Sequence, residues 1–191
     1  MRVLVACEYS GRVRDAFTAL GHDATSCDLL PTESPGRHYV GDVRDLLDGE
    51  WDIMIAHPPC TYICKAGVRW LHSDPSRWDD LDEACEFFND LLDADIKRIC
   101  VENPVPHRYA IDRLGGRKYS QIVEPWQHGH GETKKTCLWL KGLMPLRPTN
   151  VVSGREQRIL MMAPSRDRAK ARSLTYMGIA RAMAEQWGGE R

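Results

Sequence analysis

Two short segments hold residue types that can do chemistry. In Ala56-His57-Pro58-Pro59-Cys60-Thr61 a thiol follows two prolines, and in Glu102-Asn103-Pro104 a carboxyl precedes one. Proline fixes φ and has no N–H, so a strand running into Pro58-Pro59 must stop, and the stiff step places Cys60 just past the strand's carboxyl end. Open α/β sheets bind their ligands at that edge. A thiolate there can attack an electron-poor carbon and later leave it. Glu102 ends the apolar run Ile99-Cys100-Val101, and in a parallel sheet it emerges at the same edge. A partly buried carboxyl has a raised pKa, so the expectation is an acid that carries a proton at neutral pH. The competing readings are that Cys60 is one of seven cysteines and packs in a core, and that Glu102 is surface decoration. Convergence of the two at one edge is what favours chemistry.

The elements that must position them read as alternating strands and helices. Arg2 to Cys7 is a short apolar strand, Glu8-Tyr9-Ser10-Gly11 a turn, and Val13, Ala16, Phe17 and Leu20 lie at helical spacing before Gly21. Ala24 to Cys27 is a second strand ending at Asp28, 21 residues after Cys7. An acid at about that offset meets ribose hydroxyls in nucleotide-binding α/β folds; a turn cap is the equal alternative. His38 to Asp45 reads as a brief extended segment and a turn, with Asp42 on the ligand side. Residues 51–55 form the strand before the double proline, and 61–76 a long loop with a helical turn, of the kind that often binds ligands. Leu81, Ala84, Cys85, Phe88, Leu91 and Leu92 then mark a helix whose acids form a solvated face. Residues 120–123 and 136–140 read as an antiparallel pair at one edge, joined by the polar loop 127–135. Residues 141–172 are rich in Pro, Gly and Arg and read as mobile. Tyr176, Ile179, Met183 and Trp187 space a final helix. The fold class is α/β, a mostly parallel sheet with helices on both faces and an antiparallel edge.

At 191 residues this is expected to be one domain, spanning 1–191. The net charge of −1 advertises no nucleic-acid partner globally. Locally, residues 147–172 hold seven bases against two acids, a segment able to meet phosphates or simply to keep the surface soluble. The odd cysteine count argues for reduced thiols in the cytoplasm. No apolar run reaches the ~18 residues of a membrane span. His57, Cys60 and Cys64 lack a second close cysteine pair, so no metal site is expected.

In the order of these motifs the chain resembles the cytosine-C5 DNA methyltransferases, in particular the short versions of phages and prophages. The likeness rests on Pro58-Pro59-Cys60, Glu102-Asn103, Gly41-Asp42-Val43 and Gly178-Ile179-Ala180. It implies a Rossmann-like sheet binding S-adenosylmethionine, with Cys60 as nucleophile on a cytosine in DNA and Glu102 engaging the ring N3. Asp28 would meet the ribose, Asp42 the adenine amino group, and Cys7, Glu8, Tyr9, Ser10 and Gly11, with Pro58, would line the rest of the cofactor site. Pro59, Asn103, Lys134, Lys135, Arg155, Arg166 and Arg168 would face the DNA. Three features depart from the family. Its Phe-x-Gly-x-Gly is here Cys7-Glu8-Tyr9-Ser10-Gly11, its Gln-x-Arg-x-Arg is replaced by Thr133-Lys134-Lys135-Thr136, and its large target-recognition domain has no counterpart. The substrate would then be single-stranded DNA, a loosely specified site, or a site chosen by a partner protein. Two alternatives stay open: related chemistry on a free pyrimidine nucleotide, and a non-catalytic nucleic-acid-binding protein of the same fold.

Overall fold

Three runs of consecutive apolar residues, Val3–Ala6, Ile53–Ala56 and Ile99–Val101, are each 0% exposed and form the middle of one sheet. Strands covered on both faces have no solvent side, which is why these runs do not alternate. A computed structural model describes residues 1–163, 165 and 168–189. Its elements are β1 (Arg2–Ala6), α1 (Arg12–Ala19), β2 (Asp23–Asp28), β3 (His38–Val40), β4 (Ile53–Ala56), α2 (Trp70–Ser73), α3 (Arg77–Asp93), β5 (Ile99–Pro104), α4 (Arg108–Arg113), β6 (Gln121–Val123), β7 (Thr136–Lys141), α5 (Arg158–Met161), α6 (Arg168–Ser173) and α7 (Met177–Gly188). The strand order is β3-β2-β1-β4-β5-β7-β6, parallel except for β7, which runs antiparallel to both neighbours. The order reverses direction between β1 and β4, and a crevice opens at such a switch point, beyond the carboxyl ends of the strands.

Helices cover both faces. Val3, Val5, Ile53 and Ile55 pack with Phe17 of α1 and with Ile179, Met183 and Trp187 of α7. Leu4, Met54, Ile99 and Val101 pack on the other side with Leu81, Phe88 and Leu91 of α3. The α3 acids Asp79, Asp82, Glu83 and Glu86 are exposed, the solvated face expected of them. Residues 61–76 carry only a 3-10 turn at Lys65–Gly67 and the single turn α2. Within 141–172, the side chains of Leu146 and Ile159 are buried in the α7-side core.

The register corrects one boundary. β4 pairs with β5 only as far as Ala56 opposite Val101. β5 nevertheless continues to Pro104, because β7 pairs with Glu102, Asn103 and Pro104 from its other side. Glu102 therefore stands inside a strand, beside the point where β4 has already turned away.

Arg14 is a second departure from simple patterning. It lies on α1 yet is 1% exposed, donating to Ser26 Oγ (3.1 Å), Thr32 Oγ1 (3.2 Å) and the carbonyls of Ser34 (3.0 Å) and Pro35 (3.2 Å), and pairing with Asp15. The guanidinium folds the loop after β2 back onto α1. Gly36 accommodates it, since a Cβ there would lie 2.7 Å from the guanidinium carbon. Removing such a group strands several buried acceptors at once. Arg14→Met is expected to cost about 3 kcal/mol in urea denaturation, against less than about 1 kcal/mol for Arg37→Ala, which breaks an exposed pair.

Candidate active site

The turn after β1 is built around its own helix. Cys7 takes a left-handed conformation (φ 58°) and Gly11, at the N-cap of α1, another (φ 73°). Gly11 has no side chain to satisfy the first amides of α1. Glu8, 5% exposed, does so instead: Val13 N–H donates to Oε1 (2.7 Å) and Arg14 N–H to Oε2 (3.2 Å), with Ser10 Oγ donating to Oε1 (3.2 Å). Glu8 and Ser10, expected at the cofactor, thus serve the helix start. Tyr9 turns the other way, its hydroxyl 3.1 Å from Ser173 Oγ of α6.

A cavity of about 250 Å³ lies beyond β1, β2 and β3, lined by Cys7, Cys27, Asp28, Leu29, Gly41, Asp42, Val43, Arg44, Pro59 and Phe87. Asp28 Oδ1 accepts from Leu30 N–H (2.9 Å), and its second oxygen makes none of the described hydrogen bonds. Asp42 starts the 3-10 turn Val43–Leu46 and accepts from Arg44 N–H (2.9 Å), Nε (3.0 Å) and Nη2 (2.6 Å), bonds that hold its carboxyl below the usual range. Burial, then Asp28, pushes the Cys7 thiol well up. Pro59, not Pro58, lines this cavity, and Pro58 is buried. Neighbours in an extended segment point to opposite sides.

Across the switch point, the register sets His57 beside Glu102. His57 Nδ1 lies 2.8 Å from Glu102 Oε2, and the two side chains are 9% and 13% exposed. Burial alone would raise the Glu102 pKa, but the hydrogen bond and charge of His57, with Lys134 nearby, more than offset it and lower it. Burial likewise opposes charge on His57, yet Glu102 and then Glu8 raise its pKa. Both shifts favour an ionised Glu102 with the proton on the His57 side, the opposite of the direction expected from burial alone. Asn103, expected at the substrate, is 1% exposed, and its Nδ2 donates to the Pro58 carbonyl (3.3 Å), bracing the proline step.

Cys60 is half-buried and has a thiol partner. Cys64 N–H donates to the Cys60 carbonyl (3.0 Å), closing a turn that brings the sulfurs together. The bond to Cys64, and then burial, raises the Cys60 pKa. Cys64 is brought down to about 6 by that same bond and by the N–H groups of Ala66 and Gly67, which outweigh its burial. Arg172 of α6 adds a favourable charge to both.

Two of the five expected DNA-facing bases, Lys134 and Arg155, are engaged with their own chain. Lys134 donates to the carbonyls of Arg172 (2.8 Å) and Leu174 (3.3 Å). Arg155 stacks on Trp126 at 3.9 Å and donates to the carbonyl of Val152 (2.7 Å). Lys135 is exposed, Arg168 is half-buried, and Arg166 lies outside the described residues. The loop 127–135 is likewise pinned, with Gly178 N–H donating to His130 Nε2 (3.0 Å) and Tyr176 to Glu132 (2.7 Å). Among the described residues, no helix is long and apolar enough to cross a membrane.

No protein-family model matches the sequence, and no curated protein sequence does. Among solved structures, the chain is similar to a protein inferred to be a DNA modification methyltransferase, encoded within a prophage of Escherichia coli, with TM-score 0.51 and 14% identity over 86% of this chain. It is also similar to the Entamoeba histolytica methyltransferase EhMeth, with TM-score 0.47 and 14% identity over 82% of this chain. The fold is that of the methyltransferases. The chain spans 55% of the length of the first of these structures and 57% of the second.

Sequence reasoning missed His57 as the partner of Glu102 and Cys64 as the partner of Cys60. The available signals were their positions: one residue before the double proline, and four residues after the thiol. The thiol pair is open to a direct check. Thiolate ultraviolet absorbance is expected to develop near pH 6 in the wild type, because the Cys60 bond and the Ala66 and Gly67 amides favour the Cys64 thiolate, and to move above about pH 8 in Cys64→Ser. A wild type that shows no thiolate below pH 8 contradicts the assignment.

Proposed function

We propose that the protein methylates C5 of cytosine in DNA through a covalent Cys60 adduct, with S-adenosylmethionine as methyl donor. The observation that carries this reading is that Cys60 and the His57–Glu102 pair meet at the sheet edge that also bears the cavity. The cavity suits a nucleoside: Leu29, Val43, Pro59 and Phe87 give apolar walls, and Asp28 and Asp42 give acceptors. Asp28 would hold the ribose hydroxyls through its second oxygen. Asp42, already accepting from Arg44, would offer the adenine amino group its remaining lone pair. When bound there, S-adenosylmethionine supplies an electrophilic methyl group.

The chain's own residues prepare the base for it. C5 of cytosine is not nucleophilic until a group adds at C6. The Cys60 proton passes to the Cys64 thiolate, and Cys60 sulfur bonds to C6 while the ring electrons shift toward C5 and N3. N3 takes a proton at Glu102. After methylation, C5 loses its proton to a base, N3 returns its proton, the S–C6 bond breaks and Cys60 leaves as thiolate. In duplex DNA the target must first be flipped out, at a cost of a few kcal/mol. Lys134 and Arg155 serve their own chain, which thins the set of bases available to grip a backbone. This favours single strands, a loosely specified site or recognition supplied by a partner protein. It also keeps a second substrate in view, a free pyrimidine nucleotide.

DNA from cells expressing the protein should gain 5-methylcytosine by nucleoside mass spectrometry, and a Cys60→Ala strain should not. Modified pyrimidines confined to the nucleotide pool would move the activity to the free nucleotide. In calorimetry, S-adenosylmethionine or its demethylated product should bind, and Asp28→Ala should weaken that binding by on the order of tenfold. Absence of binding at millimolar ligand would overturn the methyltransferase reading.

A further inference from the structure

The mechanism above needs a proton at N3, yet Glu102 as the chain folds has none to give. An ionised carboxylate only accepts hydrogen bonds, and cytosine N3 is also an acceptor. The proton has to come from something in contact with Glu102, and one group is placed for that. His57 sits where β4 leaves the sheet, its N–H donating to the Ala6 carbonyl of β1 (2.9 Å) and its Nδ1 2.8 Å from Glu102 Oε2 of β5. Its other nitrogen, Nε2, is buried and has no hydrogen-bond partner among the described residues. Among the described residues that nitrogen has no neighbour with which to exchange its proton, and the one protein path they offer a proton from this ring runs through Nδ1 to Glu102.

We infer, on the basis of the proposed function, that His57 is a positioning residue that acts through Glu102. The buried pair stores one proton, which the pyrimidine N3 takes up as the Cys60 sulfur bonds to C6 and returns when that bond breaks. The balance closes within the site. The His57 Nδ1–H bond breaks as the carboxyl gains the proton, the carboxyl passes it to N3, and elimination of the thiolate sends it back. Three charged groups of other elements bear on His57: Glu102 of β5 and Glu8 of the β1 turn favour its proton, and Lys134, ahead of β7, opposes it. Lys134 also favours the ionised form of Glu102, and the Glu102 charge raises the pKa of Cys60. Sharing a proton across the pair therefore also bears on the nucleophile.

The sign follows from the raised His57 pKa. The stored proton is present below that value and is lost as pH rises through it, so covalent capture of a 5-fluorocytosine substrate should fall on that limb. His57→Gln keeps an N–H for Glu102 but stores nothing. Capture should then drop by roughly tenfold or more at neutral pH, and the basic limb should move to lower pH. His57→Phe, which removes the donor as well, should not do better than His57→Gln at neutral pH. A readout that needs no substrate comes from ¹⁵N spectra of the imidazole in the free protein. His57 should stay protonated above the ordinary histidine range, and Glu102→Gln should shift its titration down by on the order of one pH unit or more. A His57 titration at or below the ordinary value, or one that ignores Glu102→Gln, overturns the inference whatever the activity. Capture whose pH profile is unchanged in His57→Gln overturns it while leaving the methyltransferase reading intact. If the spectra behave as expected but no DNA or nucleotide is modified, the stored proton stands and the methyltransferase reading fails.

Discussion

Everything at the functional edge depends on where β4 stops. β1, β4 and β5 run side by side as far as Ala6, Ala56 and Val101. Beyond that row, Pro58 and Pro59 have no N–H to offer, so the ladder cannot continue between β4 and β5. β5 goes on only because β7 supports it from the other side. One strand leaves the sheet exactly opposite a carboxyl that remains in it, and the gap is filled by His57 and braced by the Asn103 amide on the Pro58 carbonyl. Two residues that lack a hydrogen bond donor thus create a site whose parts are fixed by hydrogen bonds.

Much of this was legible in the sequence because it rests on local rules. Buried runs marked the central strands, helical spacing marked α1, α3 and α7, and the double proline marked the end of β4. The cavity also formed where the two strand-end acids Asp28 and Asp42 were expected. The parts that were not legible are long-range pairings. Nothing near Glu102 reveals that a histidine 45 residues earlier will face it, so burial was weighed without the counter-charge that lowers the Glu102 pKa. The partners of Glu8 and Arg14 were hidden in the same way, being backbone groups of a helix start and of a loop distant in sequence. Charge counts over 147–172 could not show that Arg155 would lie on Trp126 or that Arg158 would pair with Glu132.

The two halves of the edge differ in what they ask of the protein. Around the cavity the groups are ready as folded, with apolar walls and carboxylates already fixed by backbone donors. Around Cys60 they are held in check, since the thiol keeps its proton beside Cys64 and the carboxyl lacks one beside His57. A thiol in this state is protected from adventitious reaction, and α6, with Arg172 acting on both thiols and its backbone tied to Lys134, bears on that balance.

The core packing also bears on how the chain is made. β1 lies near the start of the sequence, and the face of it formed by Val3 and Val5 is covered by α1 together with α7, from the far end of the described residues. Arg98 reinforces the same closure, donating to the Trp187 carbonyl and to the Met1 sulfur. During synthesis on the ribosome, the central strands therefore wait with part of an apolar face uncovered until α7 has emerged. A fold so arranged closes only once α7 has been made, and a nascent chain lacking α7 is the form most exposed to chaperones and to aggregation.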